Sequence, residues 1–415
     1  MSSKPQAPRG TRDVLPEEGR LRLRIVDVAR QAFEAHGYGP IVTPTFEDTE
    51  VFARGVGEAT DIVRKEMYTF DDASGRSLTL RPEGTAPVAR AFVSNGMHKR
   101  SLPAKLWYVA PMFRYEAPQS GRYREHHQVG AEALGSDDPL LDVEAIALLD
   151  SIYAGLGVPG VRLRLGDMGD AESRGPYREE LLAYLSRNEG DLPPDARERM
   201  ALNPLRLFDA KDEATAEVMR GAPALLDHLS DAASSHRAQV LAGLEALGID
   251  YEVDPTLVRG LDYYTNTVFE FTCDRLGAQS GIGGGGRYDG LVESLGGPPT
   301  PGVGFGSGIE RITLALEGAD APGPDLDCYV AVLDRDRRPG VMARVAELRG
   351  RGLRCEMGWG DRSLKSMMRQ ASALGARTAV IIGPREAEDG TATVRDMDTG
   401  DQRVVPLDDL TKELT

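Results

Sequence analysis

Lys105-Leu-Trp-Tyr-Val-Ala-Pro-Met-Phe-Arg114 is a mostly apolar run that ends on an arginine. Its length and its aromatic and β-branched content predict a buried strand. A polar loop follows over residues 115–124, carrying Pro118 and Gly121, and residues 128–134 return as a second strand. Together they predict a long β-hairpin with a charged tip. Upstream, Leu21, Ile25, Val26, Ala29 and Phe33 fall at helical spacing, with Gly37 as the stop. Pro40-Ile-Val-Thr-Pro-Thr-Phe46 then reads as extended. Pro44 cannot donate a ladder hydrogen bond, which predicts a strand at an edge or an interface. Residues 78–80 form a short strand leading into Arg81-Pro82-Glu83-Gly84-Thr85.

Downstream, residues 142–154 read as an apolar helix. From about 170 to 247, helical clusters such as Arg178-Glu-Glu-Leu-Leu-Ala-Tyr-Leu185 are separated by Pro and Gly, a pattern that predicts a helical insertion. Strands resume at Tyr251-Glu-Val253 and, with period two, at Thr267-Val-Phe-Glu-Phe-Thr272. After a linker over 317–324 come a strand (327–333), a helix (341–348), a strand (353–357), a helix (364–374), a strand (378–382) and a hairpin across Asp398-Thr-Gly400. Strands alternating with amphipathic helices predict a small α/β domain.

At roughly 150 residues per domain, a chain of 415 residues predicts two or three. With 49 basic and 65 acidic residues the net charge is −16. That argues against nucleic-acid binding through overall charge, but leaves room for a local basic groove. Such a face would hold Arg122 and Arg124, with Arg362 and Arg369 extending it. Cys273, Cys328 and Cys355 lie far apart and lack CxxC spacing, which excludes a disulfide framework or a zinc site and fits a reducing compartment. No stretch approaches the roughly 18 apolar residues that span a bilayer, so no membrane association is predicted. Residues 1–20 have no apolar signal core, and Asp13, Glu17 and Glu18 interrupt the basic residues there. They read as a flexible leader of a cytoplasmic protein.

Five clusters carry chemistry. In the first, Gly84 lets backbone approach a ligand closely, while Glu83 and Thr85 suit an ammonium group. The same segment also reads as a strand-to-helix turn with Thr85 as N-cap. The second is the hairpin. Arg114 ends an apolar strand and needs an anion, either a phosphate or Glu116 two residues on. Gln128 and Glu132 share one strand face and suit a small polar ligand. The third, Arg259-Gly-Leu-Asp262-Tyr-Tyr264, sets a phosphate-neutralising arginine beside a hydroxyl, or forms a turn whose tyrosines pack on the core. The fourth, Gly281-Ile-Gly-Gly-Gly-Gly-Arg287-Tyr288-Asp-Gly290, spends chain entropy on a bare backbone that should touch something flat or anionic. It is not a P-loop, since no Gly-Lys-Ser/Thr follows. The fifth, Gly302-Val-Gly-Phe-Gly-Ser-Gly308-Ile-Glu-Arg311, feeds a glycine strand into a helix start that favours anions, or packs helix on strand closely.

These clusters resemble class II aminoacyl-tRNA synthetases. The helix and the Pro44 segment are similar to the first motif of that class, Phe113-Arg114-Tyr-Glu116 with its loop to the second, and Gly304-Phe-Gly-Ser-Gly308-Ile-Glu-Arg311 to the third. Arg259-Gly-Leu-Asp-Tyr-Tyr264 and Gly283-Gly-Gly-Gly-Arg-Tyr-Asp-Gly290 resemble signatures of the histidine–tRNA ligase family. Arg9-Gly-Thr-Arg-Asp13, Leu80-Arg-Pro-Glu-Gly-Thr85 and Asn203-Pro-Leu-Arg-Leu-Phe-Asp-Ala-Lys-Asp212 match it as well.

The resemblance implies an α+β fold: an antiparallel sheet flanked by helices in two parts, 1–168 and 248–318. A helical insertion (169–247) interrupts it, and an anticodon-binding α/β domain (325–415) follows. It implies a homodimer that uses L-histidine, ATP with Mg2+, and tRNA(His). Arg259 and Arg114 would be catalytic. Glu83, Thr85, Gln128, Glu132, Tyr264 and Tyr288 would bind histidine. Arg114, Glu116, Arg122, His126 and Arg311 would bind ATP, and Gln119 and Arg124 would meet the tRNA acceptor end. No metal-ligand set is assigned.

One position departs from the pattern. His126 stands where the family usually has a Phe that stacks on adenine, which predicts intact ATP binding that is weaker or pH-sensitive. The competing reading is a non-catalytic, histidine-sensing paralogue of the same fold. Arg114, Arg259, Arg311 and the last domain, all present here, argue against it.

Overall fold

The computed structural model describes residues 4–414 except 58, 59, 118, 120, 211, 259, 278, 279 and 318–325. The chain divides into two units, Met1–Glu317 and Gly318–Thr415.

The first unit opens with α1 (Pro16–Ala35), which starts on a proline with Glu17 and Glu18 in its first turn and buries Ile25, Ala29 and Phe33. β1 (Gly39–Pro40) follows and pairs in parallel with the strand that begins at Ala104. The strand expected over 40–46 stops there. Two prolines remove donors, and the carbonyls of Thr43 and Pro44 accept from the buried Arg81 guanidinium at 2.9 and 3.2 Å instead of from a neighbouring strand. The chain re-enters regular structure at β2 (Phe46–Asp48), followed by α2 (Thr49–Val56), β3 (Tyr68–Asp71) and β4 (Ser77–Leu80). These three strands form a separate antiparallel sheet in the order β2-β4-β3.

After α3 (Thr85–Ser94) comes the hairpin, β5 (Ala104–Phe113) and β6 (Glu125–Leu134). Then follow α4 (Pro139–Leu156), β7 (Val161–Asp167) and the insertion helices α5 (Ala171–Arg187), α6 (Pro194–Leu202), α7 (Glu213–Arg220) and α8 (Asp231–Leu247). The unit closes with β8 (Tyr251–Val253), β9 (Thr265–Cys273), β10 (Gly281–Arg287), α9 (Leu291–Ser294), β11 (Gly302–Gly308) and α10 (Ile309–Ala315). The large sheet has the order β1-β5-β6-β11-β10-β9-β7-β8. It is antiparallel except at its two edge strands.

Strand alternation gives this sheet two different faces. Val129, Ala131, Ala133, Val303 and Phe305 point into the main core with α1 and α4. Leu106, Tyr108, Ala110 and Met112 of β5 point the other way, against α3 and α9. The insertion has its own core around Tyr177, Leu181, Leu207 and Met219, while Val240 and Leu244 of α8 join the main core.

The second unit orders β12 (Leu326–Val332), α11 (Arg338–Gly350), β13 (Cys355–Met357), α12 (Leu364–Ala373), β14 (Ala376–Ile382), β15 (Thr391–Asp396) and β16 (Gln402–Pro406) along the chain. Its sheet runs β13-β12-β14-β15-β16, parallel over the first three strands and antiparallel over the rest. All three cysteines are free and buried. No helix among the described residues is long and apolar enough to cross a membrane.

Candidate active site

With Val303 and Phe305 turned into the core, alternation places Gly302, Gly304, Gly306 and Gly308 on the opposite face of β11. There Gly304 stands opposite Glu132 and Gly308 opposite Gln128. A Cβ on Gly304 would fall 1.8 Å from the Glu132 carboxylate, and one on Gly302 would fall 2.4 Å from the Tyr288 ring. In the neighbouring run, a Cβ on Gly286 would come within 2.9 Å of the Tyr264 ring. The bare backbone of the 281–286 run thus meets a flat group at Gly286, the Tyr264 ring, and the glycines of β11 have the same arrangement. The space belongs to the protein's own polar side chains, which the glycines let lie flat on the sheet.

Glu132 is fully buried. Tyr288 donates to one of its oxygens at 2.5 Å; Thr85 at 2.8 Å and Tyr108 at 3.3 Å donate to the other. Three hydroxyl donors favour the ion, but burial outweighs them and pushes the carboxyl up to about 8. Glu83 is the second buried carboxylate. It accepts from the backbone N–H groups of Thr85 (2.7 Å) and Ala86 (2.9 Å), so Glu83 satisfies the start of α3. Thr85, the alternative N-cap, is the first helical residue and turns its hydroxyl to Glu132. Burial raises the Glu83 carboxyl, opposed by those N–H groups. Tyr263 reaches Glu83 at 3.4 Å and packs against Tyr264 and Tyr288. Glu83, Thr85, Glu132, Tyr264 and Tyr288 thus form one group. Gln128 is half-buried over Gly306, to which an added Cβ would stand 3.3 Å from its amide oxygen.

A cationic end lies beside this group. Arg114 donates to the Pro82 carbonyl at 2.8 Å. Glu116 stands between two arginines, 3.7 Å from Arg114 and 3.6 Å from Arg122. Arg311, in the first turn of α10, donates to the Gly281 carbonyl at 3.0 Å. Burial, and then the neighbouring Arg122, lower its pKa. Arg259, expected to be catalytic, lies outside the described residues. A cavity of about 730 Å³ runs from Arg114 and Arg122 to Arg199, Asn203 and Arg206 of the insertion. Carboxylates, among them Glu66 and Asp195, interleave with these cations.

The hairpin loop holds more internal structure than its sequence implies. Gln119 and Arg122 close a tight turn through paired backbone hydrogen bonds of 3.1 and 2.9 Å. The Arg124 guanidinium lies 3.7 Å over the Tyr115 ring, and the Arg124 N–H donates to the Gly10 carbonyl at 2.7 Å. Arg12 pairs with Glu18 and covers the Tyr123 ring. The segment read as a flexible leader is therefore tied to the loop over residues 9–12. His126 is half-buried, and burial followed by the Arg114 charge lowers its imidazole to about 4. It stays neutral from pH 5.5 to 8, so the expected pH sensitivity loses its cause.

Sequence reasoning missed three groups. Tyr108 sits in an apolar run and looks like core. Glu310 accepts both the His127 backbone N–H (3.0 Å) and Arg22 (2.5 Å), locking α10, β6 and α1 together. Arg287 and Asp142, both fully buried, pair at 2.7 Å between β10 and α4. Charged residues within otherwise apolar elements were the available signal for the last two.

Comparison with known proteins agrees in extent with this architecture. The sequence profile of the family described as "Histidyl-tRNA synthetase" matches residues 10–312, and that of "Anticodon binding domain" matches 327–415. The chain is 48% identical over 407 residues to the Histidine--tRNA ligase of Rubrobacter xylanophilus, covering 96% of each chain. It is 49% identical over 406 residues to that of Nocardia farcinica, covering 97% of this chain and 95% of the other. The crystal structure of apo S. aureus histidyl-tRNA synthetase superposes with a TM-score of 0.83 at 35% identity, covering 99% of this chain and all of that one.

Proposed function

The chain belongs to the histidyl-tRNA synthetase family, and on that footing we propose that the Glu83–Glu132 pocket and the adjoining arginines form histidyl-adenylate from L-histidine and ATP. The activity is ATP-dependent ligation of histidine to tRNA(His). The observation that carries the site assignment is the convergence of Glu83, Thr85, Glu132, Tyr264 and Tyr288 in one buried polar cluster beside Arg114.

In the first step the histidine carboxylate attacks the α-phosphorus of ATP. An O–P bond forms, the α–β bridging bond breaks, and diphosphate leaves. In the second, a terminal ribose hydroxyl of tRNA attacks the histidyl carbonyl and AMP leaves. No protein nucleophile is required; positioning and charge neutralisation supply the rate. Glu83, Thr85 and Gln128 would hold the α-ammonium. Glu132, Tyr264 and Tyr288 would read the imidazole, because a site built to hydrogen-bond a ligand rejects analogues that lack the partner atoms. Arg114 and Arg259 would neutralise the α-phosphate, and Arg311 the far end of the triphosphate. Glu116 would bridge and orient Arg114 and Arg122 where ATP binds, and His126 would pack neutral against the adenine. Gln119 and Arg124 would shape the loop that meets the tRNA acceptor end.

Among the described residues no cluster of three or more His, Cys, Asp or Glu is arranged to hold a metal. Mg2+ therefore fits as an ion carried by the ATP oxygens, where it would disperse phosphate charge. Residues 1–168 and 248–318 would form the catalytic body, 169–247 its insertion, and 325–415 the part that binds the anticodon. The free, buried cysteines accord with a reducing, cytoplasmic setting.

The test is exchange of labelled diphosphate into ATP without tRNA. Exchange with histidine and with no other amino acid supports the assignment. A folded protein with no exchange points to the histidine-sensing paralogue.

A further inference from the structure

The insertion does more than sit beside the pocket. Arg206, in the 3-10 turn Pro204–Asp209 that follows α6, places Nη2 2.6 Å and Nε 3.2 Å from Asp262 Oδ1. Asn203 adds its amide Nδ2 to the same oxygen at 3.1 Å. The Asn203 amide is fixed in orientation, because its Oδ1 accepts from the Leu205 N–H at 3.2 Å and only Nδ2 is left for the carboxylate. Leu205 packs against the cluster of Leu257, Tyr264 and Val268, which also gathers Val258, Leu261 and Tyr263. On the other side, Asp262 is held by the body of the enzyme: its N–H donates to the Val56 carbonyl at 3.1 Å. Gly57, with φ +101°, leaves the room its side chain needs, since a Cβ there would stand 2.8 Å from Asp262 Oδ2. Asp262 follows Arg259 by three residues and precedes Tyr263 and Tyr264. It is one point where the insertion grips the segment that feeds the pocket, beside the Leu205 packing and the Arg174 guanidinium of α5, which donates to the Tyr264 carbonyl at 3.3 Å.

We infer that Asn203 and Arg206 are positioning residues for adenylate formation: by holding Asp262 they set the placement of Leu261, Tyr263 and Tyr264 beside the Glu83–Glu132 group. The inference rests on the proposed reading of that pocket as the adenylation site. A planar guanidinium and an oriented amide converging on one oxygen fix direction as well as distance, which a single lysine contact would not do. Misplacement of a reacting group by an ångström or so can cost about a hundredfold in rate.

The experiment measures histidine-dependent diphosphate exchange for the full chain and for Arg206→Ala, Arg206→Lys, Asn203→Ala and Asp262→Asn, with thermal unfolding alongside. Arg206→Ala and Asp262→Asn are expected to lower kcat at least tenfold, with KM for histidine rising by less than that because Tyr264 lies on the displaced segment. Arg206→Lys should recover part of the loss. Asn203→Ala, which removes one hydrogen bond to Asp262, the turn contact to the Leu205 N–H and no charge, should show a smaller loss in kcat and carries the test if Arg206→Ala does not fold. A lower melting temperature with kcat per folded enzyme unchanged would overturn the inference and leave Arg206 a stabilising contact. Absence of exchange in the unsubstituted protein would instead overturn the reading of the pocket.

Discussion

At the scale of single residues, Glu132 concentrates the chemistry. Its carboxyl, held up to about 8 by burial, keeps its proton in the folded protein over a range where the unfolded chain, near 4.5, has lost it. The sign follows from proton uptake: the folded state binds more protons between those values, so Glu132's contribution to stability is full below about 4.5 and is lost as pH rises through about 8. Glu132→Gln removes that dependence. Melting curves between pH 5 and 9 should therefore show the variant gaining on the parent as pH rises; a constant gap would count against the elevated carboxyl. The same substitution should raise KM for histidine at least tenfold, because a hydrogen-bonding site discriminates through its buried polar groups; an unchanged KM would remove Glu132 from the histidine site. Much of this was legible. The four-residue spacing of Gln128 and Glu132 put both on one strand face, whereas the alternating glycines of β11 read as a lead into an anion-favouring helix start or as close helix packing and did not point to Glu132. Tyr108 was not legible, because a tyrosine in an apolar run has the same signature whether its hydroxyl packs idly or meets a carboxylate. The roles of Glu83 and Thr85 at the start of α3 also depended on where Glu132 lay.

At the scale of elements, the hairpin β5–β6 and helix α4 follow the apolar runs that predict them, and strand β9 and the second unit follow the periodicities that predict them. The segment 40–46 does not. Its sequence is extended and β-prone, yet its carbonyls go to a side chain, Arg81, that lies nearly forty residues away and that no local pattern points to. The clamp between α4 and β10 has the same tertiary origin. Arg287 donates to Asp142 through Nε (3.1 Å) and Nη2 (2.7 Å), and to the carbonyls of Ser136 and Asp138 at 3.1 and 3.2 Å. His236 of α8 stands 3.2 Å from Asp142, which ties the last insertion helix to the same carboxylate. Removing one member of a fully buried pair leaves the other charge without compensation, at a cost of about 3–5 kcal/mol. Arg287→Met should accordingly shift the urea midpoint sharply downward, and Arg287→Met combined with Asp142→Leu should recover part of the loss. A single variant as stable as the parent would show that the clamp contributes nothing.

At the scale of the whole molecule, the insertion and the second unit could be read from changes in pattern, but which apolar residues face solvent could not. Pro44 marks the 40–46 segment as an edge or an interface, but nothing local says that Val42, Phe46 and Phe70 together face outward. In the structure Val42 is 95% exposed, Phe46 49% and Phe70 44%, and the two phenylalanine rings meet edge to face at 6.3 Å. Single exposed apolar side chains are ordinary, whereas a neighbouring set marks a surface that another chain covers. Self-complementary pairing about a two-fold axis is the commonest way to cover one. The homodimer that the family resemblance implies would supply that cover and would accommodate the irregular backbone at 41–45, which presents Val42 outward while Arg81 holds it from within. Arg81 also donates to the Pro111 carbonyl of β5 at 2.8 Å and stands two residues before Glu83 in the chain, so the exposed segment is joined to the pocket through one buried guanidinium. Sedimentation at micromolar concentration should give twice the chain mass for the parent and the chain mass for Val42→Asp combined with Phe46→Asp. Since loss of the partner frees the segment that Arg81 anchors, the dissociated variant should also lose at least tenfold in diphosphate exchange while remaining folded. A parent that sediments as a monomer would remove the dimer. A monomeric variant with full exchange would leave the dimer in place but break the link through Arg81 from this surface to the pocket.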